Sequence, residues 1–378
     1  MSSRVAFQAL RVVPVIPAIA YADLPQQWQF RRVKNSPRSP VSFQDVLQRT
    51  SGAPPVVAVV GDIFIDVVAK VPSLPVWDTD VEADHVKVLP GGSALNGARH
   101  LHALGADVRF LGAIGGDAFG KMLVSHVEEQ GFSTEHMKTF TSLPSSVCLV
   151  LTGPKDRAMV SCYSTTEALS TADLEERMAA LDGCQHLHIG GYYNMKRLQD
   201  HAFTDFVKRC RAKGMSISMN TQYDASELWI GSNSHLSELL PLVDLLFVNG
   251  IEARGIAAAI TERPNDTENE NANIDLFCKR FPKLLLVVTQ GAAGCDVVCA
   301  NTPVLQVPTS PCGQVVDATG AGDAFFAGFL SSWLTNGWPA ERTTSSLRSA
   351  CLMGHSVAAI CVGREGACDK PVSAADLG

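Results

Sequence analysis

The segment Asp317-Ala318-Thr319-Gly320-Ala321-Gly322-Asp323-Ala324-Phe325 concentrates chemistry-bearing residues in one short turn. Glycine and alanine let the backbone turn tightly at the entrance of a helix that starts near Ala321. The unpaired amides of such an N-terminus point outward with the helix dipole behind them, an arrangement that binds anions. Asp323 lies in the same turn. A carboxylate cannot itself ligate a phosphate, because like charges repel. It can take the proton from a hydroxyl that attacks one. The same residues read equally as a plain helix start whose acidic residue the dipole favours, since a lone glycine-rich turn is weak evidence.

The elements around this turn follow from hydrophobic pattern. Residues 56–60 form an apolar, β-branched run that stops at Gly61 and reads as a buried strand. The apolar runs at 107–114, 187–190, 215–219, 245–248 and 284–289 also read as strands. Residues 94–104, 119–130, 171–181, 199–212 and 321–334 read as amphipathic or buried helices. Strand–helix alternation of this kind predicts an α/β fold with a parallel sheet covered on both faces. Four strand-like pieces, 67–71, 81–89, 147–152 and 158–163, lack long helices between them and predict a small separate sheet. Residues 261–273 are polar and read as a loop or insertion.

Composition narrows the function classes. The chain has 378 residues, 46% apolar and 18% charged, enough to bury a sizeable core. No apolar stretch reaches membrane-spanning length, so no membrane partner is expected. The net charge of −7 argues against nucleic acid as a partner. The charge is uneven. Residues 1–55 carry Arg4, Arg11, Arg31, Arg32, Lys34, Arg38 and Arg49 against Asp23 and Asp45, with seven prolines. This basic, proline-rich extension reads as an irregular segment or as an organellar transit segment. The 11 cysteines are scattered, without a CxxC pair or zinc spacing, and read as reduced thiols of a cytoplasmic protein. A transit segment would place it in an organelle instead. His100 and His102 do not share a helix face and are poor metal partners. Cys295, Cys299, Trp333 and Trp338 read as packing residues.

The 317–325 segment resembles the C-terminal signature of the ribokinase-like (PfkB) family of sugar and nucleoside kinases. Ala318 departs from the family's usual Thr. The N-terminal signature is similar too: Gly91-Gly92-Ser93-Ala94-Leu95-Asn96-Gly97-Ala98, then Gly105 and Gly115. Two signatures in the family's order are far more specific than either turn alone. Between them, Gly61-Asp62-Ile63-Phe64-Ile65-Asp66 resembles the first strand, Asn249-Gly250-Ile251-Glu252 the Asn-x-x-Glu motif, and Thr289-Gln290-Gly291-Ala292-Ala293-Gly294 the segment lining the ATP site. Arg364-Glu365-Gly366-Ala367 resembles the loop that shares a monovalent-cation site with the Asp317 loop.

The resemblance covers roughly 56–378. It implies a ribokinase-like three-layer sandwich with a mostly parallel central sheet and a small β-sheet lid. The lid would come from segments near 67–89 and 147–163, and lids of this kind often pair into homodimers. The implied activity is an ATP-dependent phosphotransferase acting on a hydroxymethyl group of a sugar. Asp323 would be the base, and the turn at Gly320, Ala321 and Gly322 the anion hole. Asp66, Gly91, Gly92, Asn96 and Tyr192 would hold the acceptor; carboxylate and amide suit hydroxyls, and glycines allow close approach. Asn249, Thr289, Gly291 and Gly294 would line the nucleotide. Glu252 would act on Mg²⁺ through water. Asp317, Thr319, Arg364 and Gly366 would frame a K⁺ site.

The acceptor stays open between two classes. Ribokinases carry Asn where Phe64 stands and Lys where Ser93 stands. The stretch His188-Ile189-Gly190-Gly191-Tyr192-Tyr193-Asn194 lacks their sugar-binding Glu, and its Gly followed by two aromatics resembles adenosine kinases. Phe64, Tyr192 and Tyr193 would then stack on a base, or else they are core residues. Asn220 follows a strand and is expected near the cleft. A catalytically silent scaffold of the same fold is a rival reading, disfavoured by the intact Asp323, Gly320 and Gly322. A dinucleotide oxidoreductase would need GxGxxG after the first strand, where the chain reads Gly61-Asp62-Ile63-Phe64.

Overall fold

The structure is a computed structural model that describes residues 53–153, 157–264, 270–309, 313–335, 343–366 and 369–377. All but the last three residues of the basic extension, and Trp338, lie outside the described residues. The strands in chain order are β1 Val56–Gly61, β2 Phe64–Lys70, β3 His85–Gly91, β4 Asp107–Leu111, β5 Ala113–Gly115, β6 Lys138–Phe140, β7 Val147–Thr152, β8 Arg157–Cys162, β9 His186–Gly190, β10 Ser216–Asn220, β11 Leu245–Asn249, β12 Leu285–Thr289, β13 Cys295–Val298 and β14 Leu305–Val307. The longer helices are α1 Ser93–Ala103, α2 Ala118–Glu128, α3 His201–Ala212, α4 Gly250–Thr261, α5 Glu270–Arg280, α6 Ala321–Thr335 and α7 Thr344–Cys361.

Eight strands form the central sheet in the order β14-β13-β12-β11-β10-β9-β1-β4. Neighbours from β4 to β12 run parallel. β13 runs antiparallel to both of its neighbours, β12 and the edge strand β14, which the alternation pattern does not predict. Parallel strands need cover on both faces, hence their near-continuous apolar runs. Val57, Val59, Phe110, Phe247 and Val287 join α1, α6 and α7 in one buried core. Their neighbours Ala58, Val60, Ile189, Met219 and Val248 are buried as well. The expected α/β architecture is therefore present.

A separate four-stranded sheet runs β3-β2-β7-β8. This is the expected small sheet, shifted at its start: β2 begins at Phe64 and β3 at His85. Alternation divides its faces. Val88, Leu149 and Val160 are exposed and lie in one row with Val67. Asp66, Cys148 and Ser161 form a row on the opposite face.

Three expected elements differ. The strand at 107–114 is interrupted at Gly112, and its second half pairs with β6 in a two-stranded sheet. The helix at 171–181 is a short helix Thr171–Glu175 followed by a 3₁₀ turn Met178–Leu181. The polar stretch 261–273 is helical from Glu270 onward, with 265–269 outside the described residues. No helix among the described residues is long and apolar enough to cross a membrane. The described cysteines are free thiols. Trp333 and Cys295 are buried, as packing residues should be, and Cys299 is half-buried against the core.

Candidate active site

Asp323 stands in the first turn of α6 and is buried, 8% exposed. Ser93 Oγ donates to its Oδ1 at 2.6 Å, and Asn96 Nδ2 donates to its Oδ2 at 3.0 Å. Both donors belong to α1, which starts directly after Gly91-Gly92. Ser93 is held in turn by Asn220 Nδ2 at 2.8 Å, and Asn220 Oδ1 accepts from the Gly191 N–H at 2.8 Å. A relay of hydrogen bonds therefore fixes the carboxylate from three separate chain segments. Burial pushes its pKa up to about 7; Ser93 and Asn96 pull the other way, and the charges of Asp62 and Glu252 raise it further. A carboxylate balanced near neutrality can accept a proton and later give it up.

The turn before Asp323 has the features of an anion site. Gly320 adopts φ 76°. Among the described residues, the N–H groups of Gly320, Gly322 and Asp323 donate to no acceptor. That of Ala321 closes weakly on the Ala318 carbonyl at 3.3 Å. A Cβ at Gly322 would meet no atom within 4 Å, so the space beside these amides is open to a ligand.

The segment likened to the first strand is split: β1 ends at Gly61, and Asp66 lies beyond it in β2. It is the third residue of β2, on the inner face of the small sheet. Its carboxylate lies so close to Gly91 that a Cβ there would come within 2.3 Å of Oδ2. Its Oδ1 is buried without a hydrogen-bond partner. Burial, then the charges of Asp62 and Asp323, push its pKa up to about 7. An unsatisfied buried acceptor facing a cleft is fit to receive a hydroxyl. Asp62 instead anchors the start of α1, accepting from the Ala94 N–H at 2.8 Å and from Asn194 Nδ2 at 2.9 Å.

Asn249 and Glu252 close on each other. Asn249 Oδ1 accepts from the N–H groups of Ile251 and Glu252, and its Nδ2 donates to Glu252 Oε1 at 2.7 Å. Glu252 Oε2 accepts from the Asn249 N–H at 3.0 Å, completing a capping box. The Asn249 side chain is thus committed to the helix cap and not turned to a nucleotide. Burial still pushes Glu252 up to about 7. Thr289 ends β12, and Gly291 and Gly294 shape the turn after it, so this loop shares the carboxyl edge of the sheet with Asn220 and Asn249. Open α/β sheets bind ligands at that edge.

The Asp317 and Arg364–Gly366 loops meet as expected. Asp317 Oδ1 accepts from the Thr319 N–H at 2.8 Å and Oδ2 from the Gly366 N–H at 3.1 Å. Val316 and Asp317 both donate to the Val362 carbonyl. The Arg364 side chain turns elsewhere: its guanidinium binds the Lys370 and Pro371 carbonyls and Asp376. The guanidinium clamps the C-terminal turn. Tyr192 is likewise not at the cleft. It is 0% exposed and bonded to His235 Nδ1 at 2.9 Å, because the left-handed Gly191 turns the chain inward. Tyr193 is buried beside Trp229. The aromatic pair that does flank Asp66 is Phe64 and Tyr163, with ring centroids 5.8 Å apart.

Ser93 as a holder of the Asp323 carboxylate, Asp62 as an anchor, and Tyr163 escaped the sequence reading. Asn220 was expected near the cleft, but not its bond to Ser93; Asp62, directly after a strand, carried a local signal of the same kind.

The sequence profile of the pfkB family carbohydrate kinases matches residues 55–374. The chain belongs to this family. Among curated pfkB relatives, it is 26% identical over 322 residues to the probable chloroplastic fructokinase-6 of Arabidopsis thaliana, covering 83% of this chain and 79% of that one. It is 24% identical over 277 residues to the adenosine kinase of Schizophyllum commune, covering 70% and 79%. The Arabidopsis thaliana ribokinase solved with ribose and ATP superposes with a TM-score of 0.67 at 22% identity, over 86% of this chain and 98% of that one. The fold is thus ribokinase-like, and the protein is a pfkB sugar or nucleoside kinase.

Proposed function

We propose that the protein transfers the γ-phosphoryl group of MgATP to a hydroxymethyl group of a sugar. The observation that carries this reading is a buried carboxylate, Asp323, beside a helix N-terminus where, among the described residues, the N–H groups of Gly320, Gly322 and Asp323 donate to no acceptor. The acceptor hydroxyl would bind between Asp66 and Asp323. Asp323 would take its proton while the acceptor oxygen forms a bond to the γ-phosphorus. The bond from that phosphorus to the β-bridging oxygen breaks, and ADP leaves. The amides at Gly320, Gly322 and Asp323 would take up charge on the moving group.

The buried carboxylates Asp323 and Glu252 suit a site that works with a divalent cation. Among the described residues, no three His, Cys, Asp or Glu groups converge as a metal cage. Mg²⁺ would therefore be held chiefly by phosphate oxygens and water, with Glu252 acting through that water, and would neutralise charge on the phosphates. Asp317 with the adjoining loop oxygens suits K⁺, a hard cation. The exposed apolar row Val88, Leu149 and Val160 supports a homodimer through the outer face of the lid.

A nucleoside acceptor is the second reading, favoured by the Phe64–Tyr163 ring pair beside Asp66. ADP release from MgATP with K⁺, across free sugars and nucleosides, tests both. Turnover on one class names the acceptor, and Asp323→Asn should lower it by about 10²–10⁴-fold. Turnover undiminished in that variant would remove Asp323 from the reaction.

A further inference from the structure

Two histidines lie inside the central sheet, where a polar ring is costly unless it is hydrogen-bonded. His186 and His188 are both buried and share one face of β9. Ser218 of β10 stands between them: its Oγ lies 2.7 Å from His186 Nε2 and 2.7 Å from His188 Nδ1. Ser216 Oγ lies 2.6 Å from His186 Nδ1 and completes the ladder. Burial, then the charge of His186, holds His188 well below its ordinary pKa, so its ring is neutral. The His188 ring stacks on Phe326, with centroids 4.2 Å apart and planes inclined by 22°. Phe326 is buried in α6, one turn after Asp323. The tip of its ring reaches α1, where a Cβ on Gly97 would come within 1.9 Å of Phe326 Cζ. Gly97 directly follows Asn96, whose Nδ2 donates to Asp323 at 3.0 Å. A glycine in mid-helix weakens the helix. Here it opens a notch that the ring fills.

We infer that Phe326 is a positioning residue for Asp323: seated between Gly97 and His188, its ring fixes the spacing of α6 and α1 at which the carboxylate meets Ser93 and Asn96. Asp323 and Phe326 are three residues apart and so share a face of α6. The two helices therefore meet at the carboxylate and again, one turn along, at the notch. The ring has little freedom to swing aside, because His188 backs its face and Phe247 stands 6.0 Å away between centroids. A methyl group added at Gly97 must then push α6 away from α1, since packed interiors transmit strain. The bonds from Ser93 and Asn96 to Asp323 would lengthen. The effect on turnover rests on the kinase reading proposed above.

Kinetics and side-chain amide NMR on Gly97→Ala, Phe326→Leu and the double variant test this. Leucine lacks the ring tip and so frees the room that the added methyl needs. With the acceptor that turns over, Gly97→Ala should lower kcat by about 10–100-fold, the scale of a displacement of about 1 Å, and leave KM for acceptor and MgATP unchanged. Phe326→Leu should lower kcat less. The double variant should be faster than Gly97→Ala, because the two changes share one contact. The Asn96 side-chain amide resonance needs no acceptor. It should move in Gly97→Ala and return toward its original place in the double variant. An unaltered kcat with an unmoved Asn96 resonance in Gly97→Ala overturns the inference. So does a double variant slower than either single one, as independent packing defects would make it. Should Gly97→Ala not fold, Phe326→Leu carries the test, and an unmoved Asn96 resonance there overturns the inference. A moved resonance with full turnover would uphold the positioning of Asp323 and defeat its role as base.

Discussion

Asp66 and Asp323 are carboxylates whose surroundings favour the neutral form. That is useful for chemistry and costly for folding. The pKa of Asp66 rises from 3.8 to about 7 on folding. Between those values the native state holds a proton that the unfolded chain has released, so stability falls as pH rises through that window. Above it the penalty is complete, on the order of 2 kcal/mol after allowing for partial solvent access. Asn is the isostere of the protonated acid and carries no charge to bury. Asp66→Asn should therefore raise the melting temperature by roughly 2–5 °C at pH 8 and leave it unchanged at pH 4, while acceptor binding is lost. Equal melting curves at both values would mean that Asp66 is not desolvated as described. The proposed role of Asp323 was legible because glycines and an acid crowd a helix start. The role of Tyr192 was misread, because Gly-Gly followed by aromatics looks the same whether the chain turns toward a cleft or into a core. The left-handed Gly191 decides that, and its direction depends on packing around Asp62 and Asn220.

At the scale of elements, two glycines from the sequence signatures do different work. Gly294 lies at φ 105°, and a Cβ there would sit 2.2 Å from the Val307 carbonyl, because the end of β14 pairs alongside Cys295, the next residue. Gly322 is in the first turn of α6 with open space around it. Gly294→Ala should destabilise the fold by about 1–3 kcal/mol through backbone strain and shift denaturant midpoints accordingly. Gly322→Ala should leave stability unchanged or slightly improved, since alanine is the better helix former, yet cut turnover by crowding the anion turn. The reverse pattern in denaturation and activity assays would show that the roles of these turns are misassigned. The strands β1, β9, β10, β11 and β12 and the helices α1, α3 and α6 could be read from hydrophobic pattern. The order of strands in the sheet, the break at 171–181 and the reversed β13 could not, since tertiary contacts fix them.

Across the whole molecule, the proposed site would be assembled from loops at the carboxyl edge of the parallel strands and covered by the second sheet. Asn220, Asn249 and Thr289 end β10, β11 and β12, while Asp66 comes from the lid. The sequence signatures disclosed the first set because each motif is local. The hydrogen-bond relay from Gly191 through Asn220 and Ser93 ties this assembly to one carboxylate. The central claim is that Asp323 is the base and is poised near neutrality. The pH dependence of kcat/KM between pH 5.5 and 8.5 (chosen to span roughly 1.5 units about the shifted value) tests it most directly, with the acceptor that turns over. Activity should rise with pH through the region near 7, as Asp323 loses its proton, and that rise should disappear in Asp323→Asn. A profile flat across that range, or one that survives intact in Asp323→Asn, would contradict the assignment.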